Sequence, residues 1–331
     1  MKDKSTISRR TVLAGGAALA TLATTRSGWA QAETGERPVV LITGTSSGFG
    51  RLMAEGFARG GAHVIAAMRQ VSGRNAAAAE ELRVLSGDGM AIDVVEIDVL
   101  SEQSVNAGVA RAIENTGQID VLVSNAGIVV PGPVELQTPA DFASNIDTNM
   151  GGALRVYRAV VPHMRDQGQG TIIQMSSALG RAIDPMLGGY CASKLAVEAA
   201  ADALAYEVAA SNIEVSIVQP ADAYPTRLQE NAIRYWEEML SRRDAADRAK
   251  LDVYAPHIEA MLAGLEPDRD LDPREVSDAV IHLASMPFGE RPGRLTVGPY
   301  KDGIDPVNAA HDQLQNDMME HNPIIGLLTL D

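Results

Sequence analysis

Short apolar runs rich in β-branched residues alternate with longer stretches whose apolar positions recur every three or four residues. The runs lie at 39–43, 63–68, 91–97, 120–123, 171–175 and 213–218, with a last short one at 295–297. Continuous apolar character over so few residues suits strands covered on both faces. Between them, residues 51–59, 75–86, 101–116, 138–165, 190–210 and 273–284 carry the helical period. Gly60 and Gly61 end the first of these helices, and Ser101 stands where an N-cap is needed. This regular β–α alternation predicts right-handed crossovers and an open, doubly wound parallel sheet in three α/β/α layers. Ligands on such a sheet bind beyond the carboxyl ends of the strands, so the loops after strands carry the chemistry.

Two segments break the rhythm. Residues 220–270 hold Tyr235, Trp236, Met239, Leu240, Tyr254, Met261 and Leu262 among many charges. They predict two or three amphipathic helices inserted after the sixth strand, and so above the ligand crevice. Surface helices packed on the body and a substrate lid spanning 221–270 both fit this pattern. The other segment is the start of the chain. Lys2, Lys4, Arg9 and Arg10 precede an apolar run from Val12 to Ala23, and Ala30-Gln31-Ala32 fits a small-x-small processing site. The apolar run is shorter than the roughly 20 residues a membrane span needs. Residues 1–32 are therefore expected to be a signal peptide, with a single domain at 33–331 that ends in a tail from 301. The paired arginines resemble a twin-arginine export signal, although Val12 and Ala14 replace its usual Phe and Lys. The expected destination is the periplasm or beyond; a cytoplasmic tail is the alternative.

With 46% hydrophobic and 21% charged residues, the composition is that of a globular protein rather than a disordered one. Net charge is −15, and residues 1–32 hold five Lys/Arg against one Asp, so their removal would take it to −19. Such an acidic chain lacks the basic face of a nucleic-acid binder. Cys191 is the sole cysteine, so no internal disulfide forms, and the six histidines have no metal-ligand spacing.

Candidate chemistry centres on Tyr190 and Lys194, which stack on one helix face at i, i+4. A free phenol has a pKa near ~10, and bringing it to neutrality takes roughly 4 kcal/mol of preference for phenolate. One exposed lysine gives only tenths of that. The pair is an acid/base only inside a desolvated pocket with further positive charge; otherwise it is an ordinary surface pair. The second candidate is Gly44-Thr45-Ser46-Ser47-Gly48-Phe49-Gly50, between the first strand and a helix. Glycines there let backbone approach a pyrophosphate at a helix N-terminus, or simply make a tight turn.

Taken together and in order, these motifs resemble the short-chain dehydrogenases/reductases in their compact, single-domain branch, over roughly residues 37–300. The glycine turn matches that family's Thr-Gly-x-x-x-Gly-x-Gly, beginning at Thr43. Asp98-Val99 matches its adenine contact, and Ser124-Asn125-Ala126-Gly127 matches its Asn-Asn-Ala-Gly with Ser first. Asn149, Ser177, Tyr190 and Lys194 fall at its four catalytic positions. The resemblance implies a Rossmann-type fold and hydride transfer between a nicotinamide and a carbonyl or secondary alcohol. It implies Tyr190 as acid/base, and Lys194 lowering its pKa together with the cationic ring while holding the ribose. Ser177 would orient the substrate oxygen, and Asn149 would support a water leading to Lys194.

Cofactor choice is read after the second strand. An acid there would bind the ribose 2′-OH of NAD, whereas this chain has Met68 followed by Arg69, which suits the 2′-phosphate of NADP. Arg51 and Arg74 are further cations for that phosphate. After the sixth strand the family has Pro-Gly and then a Thr that touches the nicotinamide carboxamide; this chain reads Pro220-Ala221-Asp222-Ala223-Tyr224-Pro225-Thr226, with Ala for Gly and one residue more. The expectation is an NADP-dependent oxidoreductase on a small, apolar carbonyl or alcohol, without nucleic acid or a stable membrane span. The family's habit implies a homodimer or homotetramer. A cofactor-binding regulator without chemistry is the competing class, against which stand the retained Ser177, Tyr190 and Lys194.

Overall fold

The computed structural model describes residues 37–266 and 270–323. The expected export signal at 1–32 lies outside the described residues, as does the end of the tail at 324–331.

Seven strands form one parallel sheet: β1 (Val39–Thr43), β2 (His63–Met68), β3 (Ala91–Glu96), β4 (Val121–Ser124), β5 (Gly170–Met175), β6 (Ile213–Pro220) and β7 (Arg294–Val297). Their order is β3-β2-β1-β4-β5-β6-β7, which reverses between β1 and β4. Every residue of β1 is buried; Val39 and Leu41 enter one core, Val40 and Ile42 the other. That is the two-residue period of a strand without a solvent face. Each such apolar side chain contributes about 1.5–3 kcal/mol by burial.

In chain order the helices are α1 (Gly48–Arg59), α2 (Ala76–Gly87), α3 (Glu102–Thr116), α4 (Pro139–Ile146), α5 (Gly152–Gln167) and α6 (Gly188–Val208). They continue with α7 (Arg227–Ser241), α8 (Ala245–Ala249), α9 (Ala255–Gly264), α10 (Arg274–Ser285) and α11 (Lys301–Glu320). Helices α1, α2 and α10 bury Met53, Phe57, Leu82 and Val280 against one face of the sheet. Helices α3, α5 and α6 bury Val105, Val109, Val156, Val160 and Val197 against the other. Local signals set several boundaries. Ser101 accepts from the Ser104 N–H at 3.2 Å and starts α3, and Gly117 at φ 78° ends it. Thr138 and Asp141 form a capping box at the start of α4.

One expectation is corrected. The single helix expected over 138–165 is two helices joined by a π-helical turn, Asp147–Gly151. Asn149, in that turn, binds both backbone groups of Ile128, which ties the widened turn to the strand loop beside it. The tail from residue 300, which carried no pattern, forms the 20-residue α11. Gly303 and Pro306 hide it in the sequence, because both disfavour helix interiors. Three helices, α7 to α9, make up the insert. Trp236, Met239, Met261 and Leu265 of that segment pack with Val129 and Tyr190 in a third apolar cluster.

Candidate active site

The crevice opens where the strand order reverses. Asn125, just past β4, donates through Nδ2 to the Thr43 and Gly44 carbonyls at 2.9 and 3.3 Å. Thr43 Oγ1 accepts in return from the Asn125 and Ala126 N–H groups, both at 3.0 Å. These bonds hold the ends of β1 and β4 together beneath the glycine turn. Gly44 has φ +74°, and a Cβ on Gly50 would lie 2.2 Å from the Gly44 carbonyl oxygen, so neither position admits a side chain. Helix α1 then begins with no side-chain cap at Ser47 and no acid in its first turn. Its N–H groups and dipole therefore face the crevice without internal competition.

A crevice of about 570 Å³ runs from this turn to the insert. Gly44, Ser46, Ser47, Gly48, Phe49 and Gly50 line one end, with Arg69, Asp98 and Val99 beside them. Asn125, Ala126 and Gly127 form its floor, and Ser177, Tyr190, Lys194, Pro220 and Thr226 line the far end. Asn149 does not line it. That residue's side chain sits behind Gly127, accepting from Ile128 N at 2.8 Å and donating to Ser193 Oγ at 2.8 Å. The Asn149 amide is thus engaged with Ile128 and Ser193.

The residues around the second strand sort by their partners. Arg69 Nη2 donates to the hydroxyl of Tyr235, on α7, at 3.4 Å, and Asn75 holds the Arg69 carbonyl at 2.7 Å. Arg74 also lines the crevice. Arg51 is paired with Glu55 at 2.6 Å and Glu81 at 3.0 Å and does not line the crevice. After β6 the methyl of Ala221, where the family has Gly, packs with Ala178 and Ile304. Thr226 caps α7 by accepting from Leu228 N at 3.3 Å and faces Gly48 across the crevice.

The chemical end lies on α6 and on the turn after β5. Tyr190 and Lys194 are both buried, with the ammonium 5.6 Å from the ring centroid. Lys194 Nζ donates to the Met175 carbonyl at 3.1 Å. Burial pushes the Tyr190 phenol up to about 12, opposed by a hydrogen bond with Ser177. Burial brings the Lys194 ammonium down to about 8, opposed by the charge of Glu198. In the protein without the cationic ring, desolvation of the phenolate dominates at Tyr190. The sequence reading placed Tyr235 only in the insert, not beside Arg69, and passed over Ser193 and Glu198. Glu198 had a signal, since it repeats the four-residue step from Tyr190 to Lys194.

Fold and crevice define the class: a doubly wound α/β protein with its ligand site at the switch point of the sheet. The chain belongs to the short chain dehydrogenase family, whose model matches residues 38–235. That family is one of oxidoreductases. The 3-ketodihydrosphingosine reductase of Bacteroides thetaiotaomicron is 36% identical over 184 residues, 56% of this chain and 63% of that protein. The chain thus spans less than two thirds of that relative's length. A gluconate 5-dehydrogenase from Burkholderia cenocepacia, solved with NADP and tartrate, is 27% identical with a TM-score of 0.64, over 80% of this chain and 95% of that one. A 3-ketoacyl-(acyl-carrier-protein) reductase from Brucella melitensis, solved with NADH, is 30% identical with a TM-score of 0.60, over 79% and 96%.

Proposed function

We propose that the protein is an NADP(H)-dependent oxidoreductase that interconverts a carbonyl and a secondary alcohol on a small apolar substrate. The observation that carries this reading is the convergence of Ser177, Tyr190 and Lys194 at the end of a crevice roofed by an apolar cluster. The crevice fits a dinucleotide: side chains are excluded at Gly44 and Gly50, and an uncapped helix N-terminus faces it. In this reading the turn from Gly44 to Gly50 holds the pyrophosphate. Asp98 and Val99 flank the adenine, and Asn125, Ala126 and Gly127 support the floor. Tyr190 and Lys194 hold the nicotinamide ribose, with Pro220 and Thr226 at its carboxamide. When bound, the nicotinamide supplies or accepts the hydride and, oxidised, brings a positive charge.

The chain's own residues manage the proton. Tyr190 Oη donates to the substrate oxygen during reduction and accepts from it during oxidation. Ser177 Oγ binds the same oxygen and fixes its orientation. From about 12, reaching neutrality requires about 7 kcal/mol in favour of phenolate, at ~1.4 kcal/mol per unit. That value already holds with the Lys194 ammonium in place, so the rest needs positive charge beyond Lys194. Arg69 and Arg74, at the carboxyl end of β2, favour a 2′-phosphate and hence NADP over NAD. Arg9-Arg10 supports export before action, and the family's habit supports a homodimer or homotetramer.

The test is Tyr190→Phe, assayed by NADPH absorbance with a panel of carbonyls. Turnover is expected to fall at least a hundredfold, with NADPH affinity within a few-fold, because positioned acid/base catalysis is typically worth 10²–10⁴. Retention of more than about a tenth of the rate rejects the assignment.

A further inference from the structure

Behind the crevice lies a knot of buried charge that the proton chemistry above does not use. Glu198 stands one helical turn beyond Lys194 on α6 and is 0% exposed. Its Oε1 accepts from Ser176 Oγ at 2.6 Å and from Gln219 Nε2 at 2.8 Å. Its Oε2 lies 3.0 Å from Arg181 Nη2 and 3.3 Å from Arg294 Nε. The carboxylate is fitted against backbone, since a Cβ on Gly180 would fall 2.3 Å from Oε1.

The two arginines are held from outside. Arg181 Nε donates to Asn308 Oδ1 at 3.0 Å, and Arg294 reaches Asp202 at 2.7 Å and Asp312 at 3.2 Å. Asn308 Nδ2 closes the knot on Gln219 Oε1 at 2.7 Å. Ser176 precedes Ser177, and Arg181 follows the 3-10 turn Ala178–Gly180 that Ser177 caps. The knot therefore ties the Ser177 turn, α6, β6, β7 and α11 to one carboxylate.

Removing charge from water costs several kcal/mol per ion, and the cost is recovered only with close partners. Arg181 and Arg294 face Glu198, Asp202 and Asp312, leaving one excess negative charge in the knot. Lys194, one turn away and equally enclosed, balances it. The Tyr190 phenol and the Cys191 thiol are the other titratable groups on this stretch of α6.

Resting on the functional reading above, we propose that Glu198 is a positioning residue of the active site. It anchors Ser176 and hence the Ser177 turn, and it is the fixed counter-charge of Lys194, completed by Arg181, Arg294 and α11. Glu198 favours the ammonium against burial, so its neutralisation lowers the pH at which Lys194 loses its proton.

The chain has five lysines, few enough to follow singly as ¹³C-dimethylamines by NMR, with Lys194→Arg assigning the signal. In Glu198→Gln the Lys194 midpoint is expected to fall by about one unit or more, with circular dichroism unchanged. Asp312→Asn, on the rim, is expected to lower it less and serves if Glu198→Gln does not fold. In turnover, Glu198→Gln should cut kcat tenfold or more and leave KM for NADPH within threefold. The high-pH limb of the kcat profile should move down with the NMR midpoint. A folded Glu198→Gln protein with an unmoved Lys194 midpoint overturns the proposal, as does an unmoved midpoint in Asp312→Asn when that variant alone folds. The NMR titration needs no substrate, so a wild type that turns over no carbonyl sinks the functional reading while Glu198 is still judged.

Discussion

Asp141→Asn tests whether the insert is a fixed roof. Asp141 is 6% exposed and accepts from Arg242 Nη2 at 2.8 Å and from buried Arg243. Both arginines lie at the end of α7, the helix that carries Trp236 and Met239 over the crevice. Taking the charge off Asp141 leaves the Arg243 cation buried without a counter-ion, which costs about 3–5 kcal/mol for enclosed pairs. Arg242 is half exposed and adds at most ~1 kcal/mol. Asn keeps an acceptor for the Thr138 backbone, so about 3 kcal/mol is the expected loss. In urea, with a slope of about 3 kcal/mol/M, the midpoint should drop by roughly 1 M. Arg243→Gln and the double variant complete a cycle whose coupling should exceed ~1 kcal/mol. KM for the carbonyl should rise with little change in kcat, because α7 loosens while α6 is untouched. The pH dependence has a definite sign. Burial pushes the Asp141 carboxyl up, but Thr138, Arg242 and Arg243 outweigh it and hold it below the usual carboxylate range. A depressed carboxylate stabilises the fold above its unfolded pKa, and this is lost as pH falls through the lower folded value. The variant should therefore be weaker than wild type at pH 7 and converge with it in acid. A loss under about 1 kcal/mol at neutral pH would reduce the pair to the worth of a surface contact and refute the fixed roof.

Further outcomes are expected elsewhere. Arg69→Ala should weaken NADPH at least tenfold in a fluorescence titration and leave NADH within threefold; equal binding of both cofactors by wild type rejects the reading of the second strand. Gly50→Ala places a methyl 2.2 Å from the Gly44 carbonyl and 2.6 Å from Asn125 Nδ2, so cofactor affinity should fall more than tenfold and Tm should drop. Unchanged binding would show that the turn does not cradle the cofactor. Arg9→Lys with Arg10→Lys should hold the precursor in the cytoplasm, read by fractionation and immunoblot, and unchanged export removes the signal assignment.

The sheet was legible because a strand without a solvent face writes itself as a continuous apolar run. Val39–Thr43 and Gly170–Met175 are buried throughout, and no helical period competes with them. The crevice was legible because its turn demands glycine at fixed steps, and Tyr190 and Lys194 keep theirs on one helix face. Illegible features depend on partners far along the chain. The π-helical turn at Asn149 is made by Ile128, 21 residues away. The roof contact from Asp141 to Arg243 spans 102 residues. Helix α11 turns Asn308 and Asp312 toward polar partners on Gln219 and Arg294, so these inward contacts leave no apolar mark in the sequence. The surroundings of Tyr190 were only half legible for a related reason. Spacing reveals the neighbouring ammonium, but only the packed structure reveals how far the phenol is removed from water.

Of the buried charge clusters, one ties α7 above the crevice to Asp141 and one lies behind the crevice at Glu198. Neither is needed to form the sheet, whose two cores are apolar. Replacing a buried ion pair with well-packed apolar residues is often neutral or stabilising. An ion pair has a narrower geometry than an apolar contact of equal volume, and breaking it is costly in any other arrangement. Arg243 therefore fixes the height of α7 over Tyr190 more sharply than Trp236 and Met239 do alone. Glu198 holds the Ser177 turn against α6 through the hydroxyl of Ser176. Apolar burial decides that the layers meet, and the buried charges decide where along the crevice wall they stop.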